Sequence, residues 1–177
     1  LILMSYHGNP HPKAKTIGLI GKGLTYDSGG YCLKNCQGMV NMKNDMSGAA
    51  AVIGTMAAVT NLKLKVNVIG IVAACENMIS GSAYHAGDII RSMAGKTIEV
   101  VNTDAEGRLT LIDAIHYAIS REHIDEVIDI ATLTGAAAAT FGNQISAVLA
   151  NNDALFNKLQ SASEFTGEKI WQLPLYE

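Results

Sequence analysis

The chemistry of this chain is indicated most clearly by an acidic segment at residues 102–109, NTDAEGRL. It follows a β-branched stretch at residues 97–101, and if the strand continued, alternate side chains would share one face. Asp104, Glu106 and Arg108 would then point into the same space. Two neighbouring carboxylates repel unless positive charge lies between them, and divalent cations prefer carboxylate oxygens. The alternative is a solvated turn with a surface ion pair, which stabilises little.

A second cluster upstream favours the metal-binding interpretation. Residues 17–20 predict an apolar strand that runs into Lys22, whose flanking glycines allow a tight turn and close approach to a ligand. Asp27 precedes a Gly-Gly pair, and Asp45 stands where a helix is predicted to start. With the two acids downstream, four carboxylates would lie in loops beside buried elements, with Lys34 nearby. Burying so many ionisable groups is unfavourable unless they are paired or bound to metal.

Other catalytic motifs do not fit this sequence. The Gly-Lys-Gly run is not a phosphate-binding loop, because Lys22 is followed by Gly23 instead of Ser or Thr. The sequence contains neither His-Glu-x-x-His nor Gly-x-Ser-x-Gly, and its five histidines fall at no metal-ligand spacing. Carboxylates and lysines are therefore the candidate functional groups.

The chain resembles the catalytic domain of the leucyl aminopeptidase family, the M17 di-metal peptidases. Residues 102–109 resemble the signature octapeptide of that family, residues 21–30 its lysine–aspartate loop and residues 42–50 its third ligand segment. Two shorter blocks, residues 75–78 and 131–136, also fit. The matching blocks follow one another over nearly the whole chain, which makes the resemblance specific.

The resemblance implies a centre with two divalent metals, Zn²⁺ or Mn²⁺, with Mg²⁺ or Co²⁺ as alternatives. Asp27 and Glu106 would bridge the two metals. Lys22 and Asp45 would complete the tighter site, and Asp104 would serve the more exchangeable one. Because an ammonium cannot coordinate a metal, Lys22 would bind as a neutral amine, a form that a neighbouring dication favours.

The same resemblance assigns the catalytic groups. A bridging water would attack the substrate carbonyl, and Lys34 would polarise that carbonyl and stabilise its oxyanion. Arg108 would hold a bicarbonate ion as general base, because its planar fork suits a planar anion. The alternative for Arg108 is an ion pair with an acid of its own segment. The resemblance also places Leu133 beside the bicarbonate and Met42, Thr132 and Gly135 around the substrate, with Met42 in an apolar specificity pocket.

The activity that the resemblance implies is a metal-dependent aminopeptidase that removes N-terminal residues, preferring leucine or other large apolar residues. It implies peptide substrates with a free N-terminus, a homo-hexameric full-length protein and a cytoplasmic location. M17 enzymes have a separate N-terminal domain and a longer catalytic domain, so residues 1–177 would be a partial catalytic domain. Two alternatives stay open, namely another di-metal amidase or phosphoesterase, and a non-catalytic DNA-binding or assembly role.

Composition is consistent with one enzyme domain. The 177 residues are 49% hydrophobic and 16% charged, which argues against a disordered tail. A net charge of -3 argues against nucleic-acid binding by this segment, and no apolar run is long enough for a bilayer. The cysteines Cys32, Cys36 and Cys75 are predicted to be free thiols of a cytoplasmic protein, with a Cys32–Cys36 bridge as the alternative.

Alternating strands and helices predict an α/β fold with a sheet between two helical layers. The resemblance implies that this three-layer fold, with a mostly parallel or mixed sheet, is like that of zinc peptidases. Strands are predicted at residues 16–20, 66–74, 97–101, 126–131 and 145–150, and helices at residues 46–60, 108–121 and 153–165. Asp153 is predicted to be a helix N-cap and Gly167 a helix stop. Sites in such folds form at the carboxyl ends of strands, so the loops after residues 20 and 101 should carry ligands.

Overall fold

The structure is a computed structural model that describes residues 1–176, and the chain divides into two compact units after Leu133. The first unit contains β1 (Ile2–His7), β2 (Thr16–Asp27), α1 (Cys36–Met39), α2 (Ser47–Asn61), β3 (Asn67–Asn77), β4 (Ile89–Arg91), β5 (Thr97–Glu99), α3 (Glu106–Arg121) and β6 (Glu126–Ile130). Short 3₁₀ helices at Met42–Asn44 and Thr103–Ala105 precede α2 and α3.

The central sheet of the first unit has the strand order β1-β3-β2-β6. Strand β2 runs parallel to both β3 and β6, whereas β1 is antiparallel to β3. The predicted mixed sheet is therefore confirmed. The register pairs Asp27 with Asn77, so the last residues of β2 and β3 lie side by side at the carboxyl edge.

Helices cover both faces of this sheet. Side chains alternate along β3, so this strand contributes to the core on each face. Ile69 and Ile71 belong to the core that packs with α3, which contributes Leu111, Ala114 and Ala118. Val68 and Val72 belong to the opposite core, with Val52 and Met56 of α2. Residues 68–72 of β3 are apolar without interruption and are buried on both faces of the sheet. The predicted three-layer arrangement is confirmed for this unit.

Strand β2 is longer than predicted. The strand predicted at residues 16–20 continues to Asp27, so Lys22 lies inside it and Asp27 is its last residue instead of a loop residue. The glycines beside Lys22 serve close packing instead of a turn. A Cβ added at Gly21 would lie 2.6 Å from the Cα of Ala49 in α2.

The strand geometry considered for residues 104–108 is not observed, and the helix predicted at residues 108–121 starts two residues earlier, at Glu106. Strand β5 ends at Glu99 and pairs only with β4, in a separate antiparallel hairpin outside the central sheet. The side chain of Asn102 accepts a hydrogen bond from the Asp104 amide at 2.8 Å, which begins a 3₁₀ turn, and α3 starts at Glu106. Asp104, Glu106 and Arg108 therefore do not lie on one face of a shared strand.

The second unit contains α4 (Gly135–Phe141), β7 (Ile145–Val148), α5 (Asp153–Thr166) and β8 (Lys169–Gln172), with β7 and β8 parallel. The N-cap of α5 is Asn152, whose side chain accepts from the Leu155 amide at 3.0 Å, so the assignment to Asp153 was wrong by one residue. The helix stop at Gly167 is confirmed, with a left-handed φ of 78° that suits glycine.

All three cysteines are free thiols, as predicted, and Cys32 and Cys36 do not form a bridge. Within residues 1–176, none of the helices is long and apolar enough to cross a membrane.

Candidate metal centre

Three acids that are distant in sequence meet at the carboxyl edge of the sheet. Asp27 ends β2, Asp45 lies between a 3₁₀ helix and α2, and Glu106 opens α3. Each offers one carboxylate oxygen, these oxygens lie within 4.8 Å of one another, and all three residues are buried. Taking three carboxylates out of water is costly unless positive charge compensates them. This acidic group could therefore hold a metal ion.

The amine of Lys22 lies between two of these acids. Its Nζ is 2.9 Å from Asp45 Oδ2 and 3.0 Å from Glu106 Oε1, and it donates to the carbonyl of Thr132 at 3.2 Å. Burial lowers the pKa of Lys22, but the hydrogen bonds and charges of Asp45 and Glu106 outweigh burial and leave the pKa raised. In this arrangement the carboxylates stabilise the ammonium form.

Lys34 neutralises the other side of the cluster. Its Nζ is 3.0 Å from Asp27 Oδ2 and 2.5 Å from Asp104 Oδ1. Burial lowers the pKa of Lys34, but contacts with Asp104 and Asp27 outweigh burial and leave that pKa raised. The structure thus brings Asp104 and Lys34 to the same centre as the three buried acids.

Hydrogen bonds fix the orientation of the carboxylates. Asp27 Oδ1 accepts from the Gly29 amide at 2.9 Å and from Asn77 Nδ2 at 2.8 Å. Burial raises the pKa of Asp27, but Lys34, Asn77 and the Gly29 amide outweigh burial and lower it. Asp45 Oδ1 accepts from the hydroxyl of Thr132 at 2.7 Å.

Two buried carboxylate oxygens fit a role as cation ligands. Asp45 Oδ2 and Asp104 Oδ1 are buried, and each lies against a lysine ammonium, at 2.9 Å from Lys22 and 2.5 Å from Lys34. Four carboxylates against two ammonium groups also leave two net negative charges in the cluster. Buried negative charge without compensation is unfavourable, and hard divalent cations prefer carboxylate oxygens.

A buried polar network below the acids was not assigned a role from sequence. Thr103 Oγ1 donates to the Gly29 carbonyl at 2.7 Å and accepts from the Cys32 amide at 2.8 Å. The Thr103 carbonyl accepts from Asn77 Nδ2 and from Tyr84 Oη, each at 3.0 Å. The available signal was the position of Asn77, a polar residue at the end of a strand whose middle, residues 68–75, is apolar.

The remaining predicted site residues have different surroundings. Arg108 is exposed and forms no ion pair in the described part of the chain, so the alternative of a pair with Asp104 or Glu106 is not observed. Glu106 pairs with Lys22 and Asp104 with Lys34 instead. Thr132 contacts Asp45 and Lys22, as described above. Leu133 lies beside Gly107, Met42 is half-buried in its 3₁₀ helix, and Gly135 begins α4 of the second unit.

Known proteins similar to this chain are cytosol aminopeptidases. The family model described as "Cytosol aminopeptidase family, catalytic domain" matches residues 1–177. A probable cytosol aminopeptidase of Clostridium perfringens is 58% identical over 177 residues, which is 100% of this chain and 36% of that protein. A cytosol aminopeptidase of Vibrio cholerae is 52% identical over 173 residues, which is 98% of this chain and 34% of that protein.

A third relative, a probable cytosol aminopeptidase of Treponema denticola, is 54% identical over all 177 residues and is covered to 37% of its length. The chain thus spans about a third of the length of the curated relatives it matches. Because the family model matches every residue, the chain belongs to the cytosol aminopeptidase family, M17, within the catalytic domain of that family.

Proposed function

We propose that this chain carries the metal centre and catalytic residues of a di-metal aminopeptidase, which removes leucine or other large apolar residues from the N-termini of peptides. The observation that supports it best is the buried convergence of Asp27, Asp45 and Glu106 around Lys22. Membership of the cytosol aminopeptidase family supports the same proposal.

In this proposal Asp27 and Glu106 would be shared by two Zn²⁺ or Mn²⁺ ions, with Mg²⁺ or Co²⁺ as alternatives. Asp45 and Lys22 would complete one site, and Asp104 the other. Two bound cations would supply a nucleophilic water at neutral pH by lowering its pKa. The carboxylates alone favour the ammonium form of Lys22, so coordination through Nζ requires the loss of one proton.

Lys34 and Arg108 would act on the substrate side. Lys34 is already held as an ammonium between Asp27 and Asp104, which suits stabilisation of a developing oxyanion. Arg108 has an exposed guanidinium that no carboxylate occupies in the described chain, so its planar fork could hold bicarbonate as general base. Leu133 would lie beside the bicarbonate.

Substrate selection would involve residues around the centre, with Met42 in the apolar pocket and Thr132 and Gly135 near the peptide. Thr132 supports this role, because its carbonyl and hydroxyl both contact the metal-ligand candidates. We further propose that the protein acts as a cytoplasmic homo-hexamer.

The test is hydrolysis of leucine p-nitroanilide by the full-length protein, first stripped with chelator and then reloaded with Mn²⁺ or Zn²⁺. Activity should disappear with the metal and return with it. Asp104→Asn should cut activity severely, because it removes one ligand charge. A peptide with a blocked N-terminus should remain uncut, since an aminopeptidase requires the free amine.

Cleavage of blocked peptides or of phosphoesters, without cleavage of the free peptide, would instead identify another di-metal hydrolase. A folded and metal-loaded protein that hydrolyses none of these substrates would contradict the catalytic proposal. DNA binding in a salt-dependent gel shift would then support a non-catalytic role.

A further inference from the structure

Asn77 occupies a central position in the candidate metal centre. It is the last residue of β3, is 5% exposed and lies opposite Asp27 in the sheet register. Its backbone carbonyl accepts from both the amide and the hydroxyl of Ser28, at 2.9 and 2.7 Å. These two hydrogen bonds therefore hold Ser28, the residue after Asp27, against the end of β3.

The side-chain amide of Asn77 faces three acceptors. Nδ2 lies 2.8 Å from Asp27 Oδ1, 3.0 Å from the Thr103 carbonyl and 3.3 Å from Glu106 Oε2. Two amide hydrogens are shared among the three oxygens, with the longest contact to Glu106. One neutral group thus touches both acids that the proposed function treats as shared ligands.

Each of these two acids is held from opposite sides. Asp27 has Lys34 at Oδ2 and Asn77 at Oδ1, whereas Glu106 has Lys22 at Oε1 and Asn77 at Oε2. A cation in the cluster would repel the lysine ammonium groups. It would not repel a neutral amide donor, so the contacts of Asn77 are compatible with both the metal-free and the metal-bound centre.

The contact with Thr103 alone does not explain the placement of Asn77. The Thr103 carbonyl also accepts from Tyr84 Oη at 3.0 Å, so it retains a donor without Asn77. The other two side-chain contacts of Asn77 go to candidate metal ligands. Groups that hydrogen-bond to metal ligands commonly change metal affinity or activity 10–100-fold when removed.

We propose that Asn77 is a positioning residue of the metal centre, whose neutral amide orients Asp27 and Glu106 for cation binding. This inference rests on the proposed di-metal function. Asn77 would act through the two carboxylates and would not contact the substrate.

The test compares Asn77→Ala with Tyr84→Phe in the full-length protein. Both substitutions remove one donor from the Thr103 carbonyl, but only the first removes donors from the acids. The dissociation constant of Mn²⁺ is measured by chelator competition, and the visible absorption of bound Co²⁺ reports ligand geometry. Hydrolysis of leucine p-nitroanilide at saturating metal gives kcat and KM.

We expect Asn77→Ala to weaken Mn²⁺ binding about 10–100-fold, to change the Co²⁺ spectrum and to lower kcat more than KM changes. Tyr84→Phe should retain the wild-type spectrum and bind Mn²⁺ with less than about threefold loss, because the carboxylates keep their donor. If Asn77→Ala does not fold, Asn77→Ser replaces it, with one donor hydrogen and the same expected direction.

Wild-type Mn²⁺ affinity and an unchanged Co²⁺ spectrum in the folded Asn77 variant would overturn the inference. Equal losses in the Asn77 and Tyr84 variants would also overturn it, because the shared Thr103 contact would then explain the effect. In both results the wild-type protein still binds metal and hydrolyses peptide. A wild-type protein that does neither would instead refute the proposed function and, with it, the role of Asn77.

Discussion

Gly107 lies directly against the buried amine of Lys22. A Cβ atom at position 107 would be 2.7 Å from Lys22 Cε and 2.9 Å from Nζ. Leu133 closes the same space, with Cδ1 3.0 Å from that Cβ position. The position of Lys22 between Asp45 and Glu106 therefore depends on the absence of a side chain in the first turn of α3.

Gly107→Ala should displace Lys22 without unfolding α3. Alanine favours a helix interior over glycine by about 0.5–1 kcal/mol, so helix propensity does not oppose the change. The added methyl group moves the amine away from its acids, and metal affinity and peptide hydrolysis should fall at least about tenfold. Chelator competition and kinetics measure both.

Gly54→Ala is the matched control for that substitution, because a Cβ at this exposed position of α2 meets nothing within 4 Å. It should retain activity and leave stability unchanged or slightly increased. Full metal affinity in Gly107→Ala would show that Lys22 tolerates the methyl group.

Gly48→Ala should destabilise the fold itself. In the first turn of α2, a Cβ at Gly48 would clash with the backbone carbonyl of Ile130, lying 2.7 Å from its carbon. Backbone atoms of β6 cannot move aside as a flexible side chain does, so we expect a loss of about 1–3 kcal/mol in the free energy of unfolding. Urea denaturation measures it, and a midpoint equal to wild type would contradict the packing described here.

Lys34→Ala should separate catalysis from metal binding. Loss of a preorganised donor for an oxyanion typically lowers kcat about 10²–10³-fold. Metal binding should persist or tighten, because Asp27 and Asp104 lose a competing ammonium. Lys65→Ala removes an exposed lysine before β3 and should have no effect. Wild-type turnover in the metal-loaded Lys34 variant would refute the role assigned to that residue.

Tyr84 should titrate at unusually high pH in the metal-free protein. Burial, together with the charges of Glu106 and Asp27, raises the pKa of Tyr84 from 10.0 to about 12. The folded-state pKa lies above that of the unfolded chain. The neutral phenol therefore contributes its full stabilisation below pH 10 and loses it as the pH rises towards 12.

Ultraviolet titration of tyrosinate, with circular dichroism as the check on folding, measures that shift. Tyr84→Phe should remove the last of the titration steps from the six tyrosines. Metal loading should lower this pKa, because cations offset the charges of Glu106 and Asp27. A single step near 10 in a folded, metal-free protein would contradict the environment described for Tyr84.

The residues of the candidate centre could be predicted because their types are unusual beside buried elements. Lys22, Asp27, Asp45, Asp104 and Glu106 were identified from unpaired charge in an apolar context, and contacts bring all five together. The three-layer fold followed from the apolar run now seen as β3, because a strand without polar alternation must be covered on both faces.

The local geometry of those residues could not be predicted in the same way. The strand alternation considered for Asp104, Glu106 and Arg108 is not observed, because the Asn102 side chain starts a 3₁₀ turn that leads into α3. The glycines around Lys22 suggested a loop, but they make room for α2 against β2. Glycine is compatible with both outcomes, and only the packing partner distinguishes them.

The sequence by itself determined which functional groups the candidate centre contains, namely four acids and two lysines, and which apolar segments must bury them. Tertiary structure decided which oxygen faces which amine, left Arg108 outside those ion pairs and placed Asn77 against both Asp27 and Glu106. The reason is that side-chain type is local information. The strand register and the start of α3, which set these distances, arise from contacts between segments tens of residues apart.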